Sequence, residues 1–166
     1  VRVAKETNMT TPTDVDAPRD ASDILEGARA ARSEPERSEA AVLAALQAAP
    51  ADRAVRMGAY KFYFYAGRLA EAVPHAAWCV ADGARALAIS PDWRGLAPGS
   101  VPCAGYEKAP RFFVQSLVAL GYCRTRIGEI EAGLEALRKA AEIDPTDTFG
   151  VRRLIAVIER GGLDED

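Results

Sequence analysis

The only histidine of the chain, His75, stands four residues before Cys79 in the stretch PHAAWC. On a helix that spacing puts the imidazole and the thiol on one face, where they could share a metal ion or act as a nucleophile and its base. Two ligands are too few for a tetrahedral site, and no second Cys or His pair completes one, since Cys103 and Cys123 stand alone. A nucleophile pair would also need a third group to orient the histidine, and none is evident. There is no glycine-rich phosphate loop after a strand, and the carboxylates of GEIEAGLEAL and of the closing GLDED read as solvated faces. The expectation is no catalytic residue, no metal and no cofactor, and a protein that is not an enzyme.

What remains is the chemistry of recognition. The stretch AYKFYFYAGRLAEA, residues 59–72, places five of the chain's twelve aromatic rings in six positions, Tyr60 and Phe62 to Tyr65. With 166 residues, 49% of them hydrophobic, the chain suits one domain with a sizeable core. A net charge of −3 gives no wide positive field, so nucleic acid is not an expected partner. No apolar run approaches the roughly 18 to 20 residues of a membrane span, and the first twenty residues lack the apolar core of a signal peptide. The three cysteines suit free thiols, and the expected location is the cytoplasm.

The elements that must carry the aromatic run are helices. From residue 20 onward apolar residues recur at helical spacing in blocks rich in Ala, Leu, Glu and Arg, which predicts helices over 20–32, 35–49, 53–66, 69–90, 111–127, 130–143 and 147–161. Residues 1–18 read as a flexible tail, 19–162 as one domain and 163–166 as an acidic tail. The turn YAGRLAEA around Gly67 matches RIGEIEAG around Gly128; steps of 34 residues lead back from Gly67 to Ser33, in another turn, and forward from Gly128 to Gly162.

Residues 114–145, VQSLVALGYCRTRIGEIEAGLEALRKAAEIDP, carry Leu117, Leu120, Gly121, Gly133, Leu137, Ala140 and Pro145 in an order of large and small residues that resembles the tetratricopeptide repeat. The small residues let helices approach, and Pro145 ends the second helix because it has no N–H to donate. In 53–84, Tyr63, Ala72 and Cys79 fit, while Tyr60 takes a small-residue position and Ala84 that of the proline. In 19–50, Leu25, Val42, Ala45 and Pro50 fit, and Glu26 and Arg29 do not. The resemblance implies an all-α superhelix of helix-turn-helix units: about seven helices, three repeats plus a terminal helix.

Position in the repeat sorts the aromatic run. Ala59, Tyr60, Phe62 and Tyr63 fall on the arc that packs against neighbouring helices; Met57, Lys61, Phe64, Tyr65 and Arg68 fall on the opposite arc, which in this family lines a concave groove. Gln115, Val118, Tyr122, Thr125 and Arg126 hold the matching places in the next repeat, and Phe149, Arg152, Ala156 and Arg160 in the terminal helix. Such a groove is aromatic and basic in an acidic protein, and suits a protein or peptide segment with acidic residues, or a C-terminal carboxylate, beside apolar anchors. Asp20, Asp23 and Gly27 would make its first end acidic.

Gly67 and Gly128 are 61 residues apart, so about 27 residues are inserted between the second and third repeats, extending the helix through ARALAIS into a loop at 91–110. That loop, with Trp93, Leu96 and Val101, either folds over the groove to cover Phe64 and Tyr65 or adds Trp93 to the partner surface. The wording of AYKFYFYAGRLAEA, PDWRGL, PRFFVQSLVALGYCRTRIGE and DPTD resembles a group of bacterial tetratricopeptide proteins associated with nitrogen-fixation gene clusters. This resemblance implies an adaptor or assembly factor that acts by binding; the alternative is a chaperone like those of type III secretion, which hold a secreted partner in a similar groove.

Overall fold

The computed structural model describes residues 35–105 and 107–161. The expected helix at 20–32, with Asp20, Asp23 and Gly27, lies outside the described residues, as do both tails and Tyr106. Six α-helices and no strand occur among the described residues: α1 (Pro35–Ala48), α2 (Arg53–Tyr65), α3 (Leu69–Ala86), α4 (Lys108–Arg126), α5 (Ile130–Ile143) and α6 (Val151–Glu159). Each packs chiefly on its neighbours in the chain.

Local chemistry sets the ends. Asp52 caps α2, its side chain accepting from the Val55 N–H at 3.0 Å. After α2, Gly67 adopts a left-handed φ of 73°, and the Arg68 N–H returns to the Tyr63 carbonyl at 2.9 Å. After α4, Gly128 (φ 93°) repeats the arrangement, with the Glu129 N–H on the Arg124 carbonyl at 2.9 Å. The two turns matched in sequence are thus the same turn in space.

Three helices have boundaries that differ from the sequence reading for identifiable reasons. The terminal helix, expected over 147–161, runs only over Val151–Glu159, since Gly150 is left-handed (φ 66°) and Asp147 caps the helix by accepting from the Val151 N–H at 2.7 Å. The helix expected over 69–90 stops at Ala86, because Ala88 takes up the left-handed conformation (φ 54°) and the Ile89 N–H bonds back to Ala84. An alanine there does what glycine does at the other turns, so composition gave no stop signal. The helix expected from 111 begins at Lys108, since Pro110 falls in the first turn, where a missing N–H breaks no intrahelical bond.

The core has two main parts. The larger joins α3, α4, α5 and α6 through residues such as Ala76, Val80, Phe113, Leu117, Leu137, Ile143 and Val151. The smaller joins α1 to α4 through Val42, Ala59, Tyr63, Ala72 and Cys123, and Tyr60 and Val73 pack against both. The α4–α5 crossing is close: a Cβ at Gly133 would lie 2.4 Å from the Thr125 methyl and 2.6 Å from the Gly121 carbonyl.

The inserted loop follows neither expected course. Trp93, only 5% exposed, opens a short 3₁₀ turn (Trp93–Gly95) and is buried in the larger core with Leu96 and Val101. The loop is tied to α5, Arg94 Nε meeting Glu135 Oε1 at 3.0 Å and Lys139 Nζ donating to the Leu96 carbonyl at 2.9 Å. Trp93 is therefore a core residue and offers no ring to a partner. Burial of its large apolar area against α5 outweighs any gain from lying over half-exposed rings elsewhere.

Candidate functional site

The helices α2 and α4 run side by side in the same direction, with α3 connecting them. Near their starts the Arg53 guanidinium lies 4.2 Å over the Phe112 ring; near their ends Tyr60 packs against the core cluster that includes Cys123. Along this seam the aromatic residues meet. Phe64 stands 5.5 Å from Tyr60, 5.4 Å edge-on from Tyr65 and 5.8 Å from Tyr122, centroid to centroid. On the far side of Tyr122, Arg126 Nη1 donates to its hydroxyl at 3.2 Å.

The aromatic run thus divides by depth. Ala59 and Tyr63 are buried, Tyr60, Phe62 and Phe64 are half-buried, and Tyr65 is 83% exposed. Burial, and then the neighbouring Cys123, Tyr65 and Tyr122, push the Tyr60 hydroxyl well above the usual phenol range, so it stays protonated. Those neighbours put three phenols of the seam close together.

The other residues expected in the groove are distributed more widely. Lys61 is exposed one turn before Tyr65, and Met57, one turn earlier, is half-buried. Val118 is half-buried against the larger core. Thr125 is buried, its hydroxyl donating to the Tyr122 carbonyl at 2.8 Å while its methyl faces Gly133. Arg152 lies on α6 and donates to the Pro145 carbonyl at 3.1 Å, apart from the aromatic seam.

Arg68 is engaged with α1 and the start of α3. Its guanidinium pairs with Glu39 at 2.7 Å and with Glu71, and lies 4.9 Å over the Tyr63 ring, which pins α1 against the α2–α3 turn. Helical phase placed it with Lys61, but the chain has already left the helix at Ala66, so phase no longer governs its direction. Conversely, phase assigned Tyr60 to packing alone. Its occupancy of a small-residue position was the available sign that it reaches across to α4.

The pair His75 and Cys79 points inward. His75 is buried, stacked on Tyr63 at 5.8 Å with the rings nearly parallel, and Arg56 Nη1 lies 3.4 Å from its Nδ1. Burial, then the Arg56 charge, hold its pKa below the usual value. Burial, then the Asp82 charge, push the Cys79 thiol up to about 11, where it is protonated at neutral pH. Such a thiol is a packing group.

These features describe an all-α protein with a half-buried aromatic seam between α2 and α4 that ends in the exposed Tyr65. No family model matches the chain, and no solved structure matches it. It is 31% identical over 123 residues to a protein of Azotobacter chroococcum mcd 1 described as "Uncharacterized 19.8 kDa protein in nifW 5'region", the match covering 73% of this chain and 69% of that protein. The chain belongs to the family of that protein. No helix among the described residues is long and apolar enough to cross a membrane.

Proposed function

We propose that the protein is a non-enzymatic accessory factor of nitrogen fixation that holds a segment of a partner protein against the α2–α4 seam of a tetratricopeptide-like stack. The observation that carries this reading is Tyr65, 83% exposed at the end of a cluster in which Phe64, Tyr122 and Arg126 are already held in place by one another. An exposed ring on such a support costs stability nothing to remove, and rigid aromatic and arginine groups are the usual anchors of a protein interface. The matching turns at Gly67 and Gly128, the close Gly121–Gly133 crossing and the parallel α2 and α4 favour a repeat stack whose first helices line one face. The genomic setting named for the relative, beside nifW, supports the link to nitrogen fixation.

The reading is tested by purifying the tagged protein from its source cells grown on dinitrogen, as the natural chain and as the double variant Tyr65→Ala with Arg126→Ala. Both should melt at nearly the same temperature. One partner protein should accompany the natural chain, and its affinity should fall by about thirtyfold in the double variant, the scale of one interface hot spot. A partner retained at full affinity would place the binding surface elsewhere.

A further inference from the structure

We infer that the segment bound at the α2–α4 seam is acidic, its carboxylates spaced around an aromatic or branched aliphatic anchor. This inference rests on the groove reading above. Neither α2, RAVRMGAYKFYFY, nor α4, KAPRFFVQSLVALGYCRTR, contains a single Asp or Glu, although the chain as a whole carries a net charge of −3. Their cations are Arg53, Arg56 and Lys61 on one and Lys108, Arg111, Arg124 and Arg126 on the other. The adjoining α5 has Glu131, Glu135 and Glu142 beside Arg138 and Lys139. Solvated helix faces ordinarily mix signs, as α5 does, because pairs three or four residues apart stabilise the helix.

Ion pairing sharpens the contrast. Arg68, Arg94, Arg138 and Lys139 each have a carboxylate partner, and so do Arg53 and Arg124, from Asp82 of α3 and Glu129 of the following turn. Lys61 and Arg126, one turn from Tyr65 and Tyr122, have none among the described residues, and neither do Arg56, Lys108 and Arg111 of the same two helices. Arg126 is nevertheless oriented, by its bond to the Tyr122 hydroxyl. One turn of helix separates Lys61 from the exposed Tyr65 and Arg126 from the half-buried Tyr122, so each phenol has a cation without a carboxylate partner beside it. A short segment laid along the seam can set its apolar anchor on Phe64 and Tyr65 and its carboxylates on Lys61 and Arg126. The net charge of −3 does not favour the continuous phosphate track of a nucleic acid.

A random-peptide phage library selected on the intact protein, with counter-selection on Tyr65→Ala plus Arg126→Ala, supplies the probe. The selected peptides should be enriched in Asp and Glu around an apolar residue. A synthetic copy should bind roughly tenfold more weakly when its Asp and Glu become Asn and Gln, or when the protein carries Lys61→Gln with Arg126→Gln, and in both cases its salt dependence should shrink. Peptides that depend on the seam but show no acidic enrichment would overturn this inference and leave the groove reading standing. Recovery of no peptide that prefers the natural chain to the double variant would remove both. Fluorescent oligothymidylate that displaces the selected peptide at low concentration would replace the acidic segment with a single-stranded nucleic acid.

Discussion

Asp144 stands just after α5, in the sequence DPTD, and is almost wholly buried. One carboxylate oxygen accepts from the Thr146 N–H at 3.2 Å and from its hydroxyl, the other from the Thr148 N–H at 2.9 Å. Burial alone would raise its pKa, but these bonds outweigh it and hold the carboxyl below the usual range. A folded pKa below the unfolded one means that the unfolded chain takes up the proton first. The stabilisation is therefore complete above the unfolded value of about 4 and is lost as pH falls through the folded one. Asp144→Asn should cost about 1 to 3 kcal/mol at pH 7, the scale of bonds to a buried charged group. The penalty should shrink toward pH 3 in urea titrations taken across that range. An equal loss at both pH values would show that shape, and not charge, matters at this turn.

At the scale of elements, the crossing of α4 and α5 is the tightest contact of backbones. A Cβ at Gly133 would meet the Thr125 amide nitrogen at 2.7 Å, so the helices must separate to admit it. At Gly83, where α3 meets α4, the closest approach is a milder 3.2 Å, to the Phe113 Cα. Alanine is favoured over glycine within a helix by up to about 1 kcal/mol, which offsets a mild clash and not a severe one. Gly133→Ala should lower stability by about 2 kcal/mol or more, whereas Gly83→Ala should fall within about 1 kcal/mol of the natural chain. Equilibrium urea unfolding of the two variants side by side checks the difference. Near-equal values would mean that the crossing can open at little cost.

These elements also show what sequence can and cannot reveal. Gly121, Gly133 and the turn glycines were legible because small residues and left-handed turns leave fixed marks on a periodic pattern. The division between Tyr63 and Tyr65 was legible because helical phase fixes direction within a helix. Phase says nothing once the helix has ended, which is why it did not show that Arg68 pairs with Glu39 of α1. The course of the inserted loop depended on burial of Trp93, Leu96 and Val101 against helices far along the chain, a competition that no local pattern records. Of the residues expected in the groove, Phe64, Tyr65, Tyr122 and Arg126 are joined by ring contacts and a hydrogen bond, Arg68 and Arg152 have partners elsewhere, and Trp93 lies in the core.

For the whole molecule, Tyr60 and Val73 belong to the borders of both main cores, so neither half closes its apolar surface without the other. The described helices should therefore unfold in a single transition. Two tryptophans make this testable: Trp93 reports the larger core, and Trp78, with the Arg56 guanidinium 5.3 Å over its ring, reports the side of α2 and α3. In Trp78→Phe and Trp93→Phe variants the remaining fluorescence should follow the same urea curve as the helical circular dichroism. Curves that separate would divide the chain into two independently melting halves.

The buried loop has a consequence for how such a chain could change over generations. Stacks of like hairpins usually lengthen or shorten by duplicating or losing whole units, because every junction is interchangeable. Here the connection between α3 and α4 is unlike the short turns elsewhere, because it buries Trp93, Leu96 and Val101 in the larger core. A hairpin copied into that place would meet a filled socket, and one deleted from it would leave an open hole. On the repeat reading proposed above, the loop fixes the number of units across this junction, turning a modular array into a single object of set length.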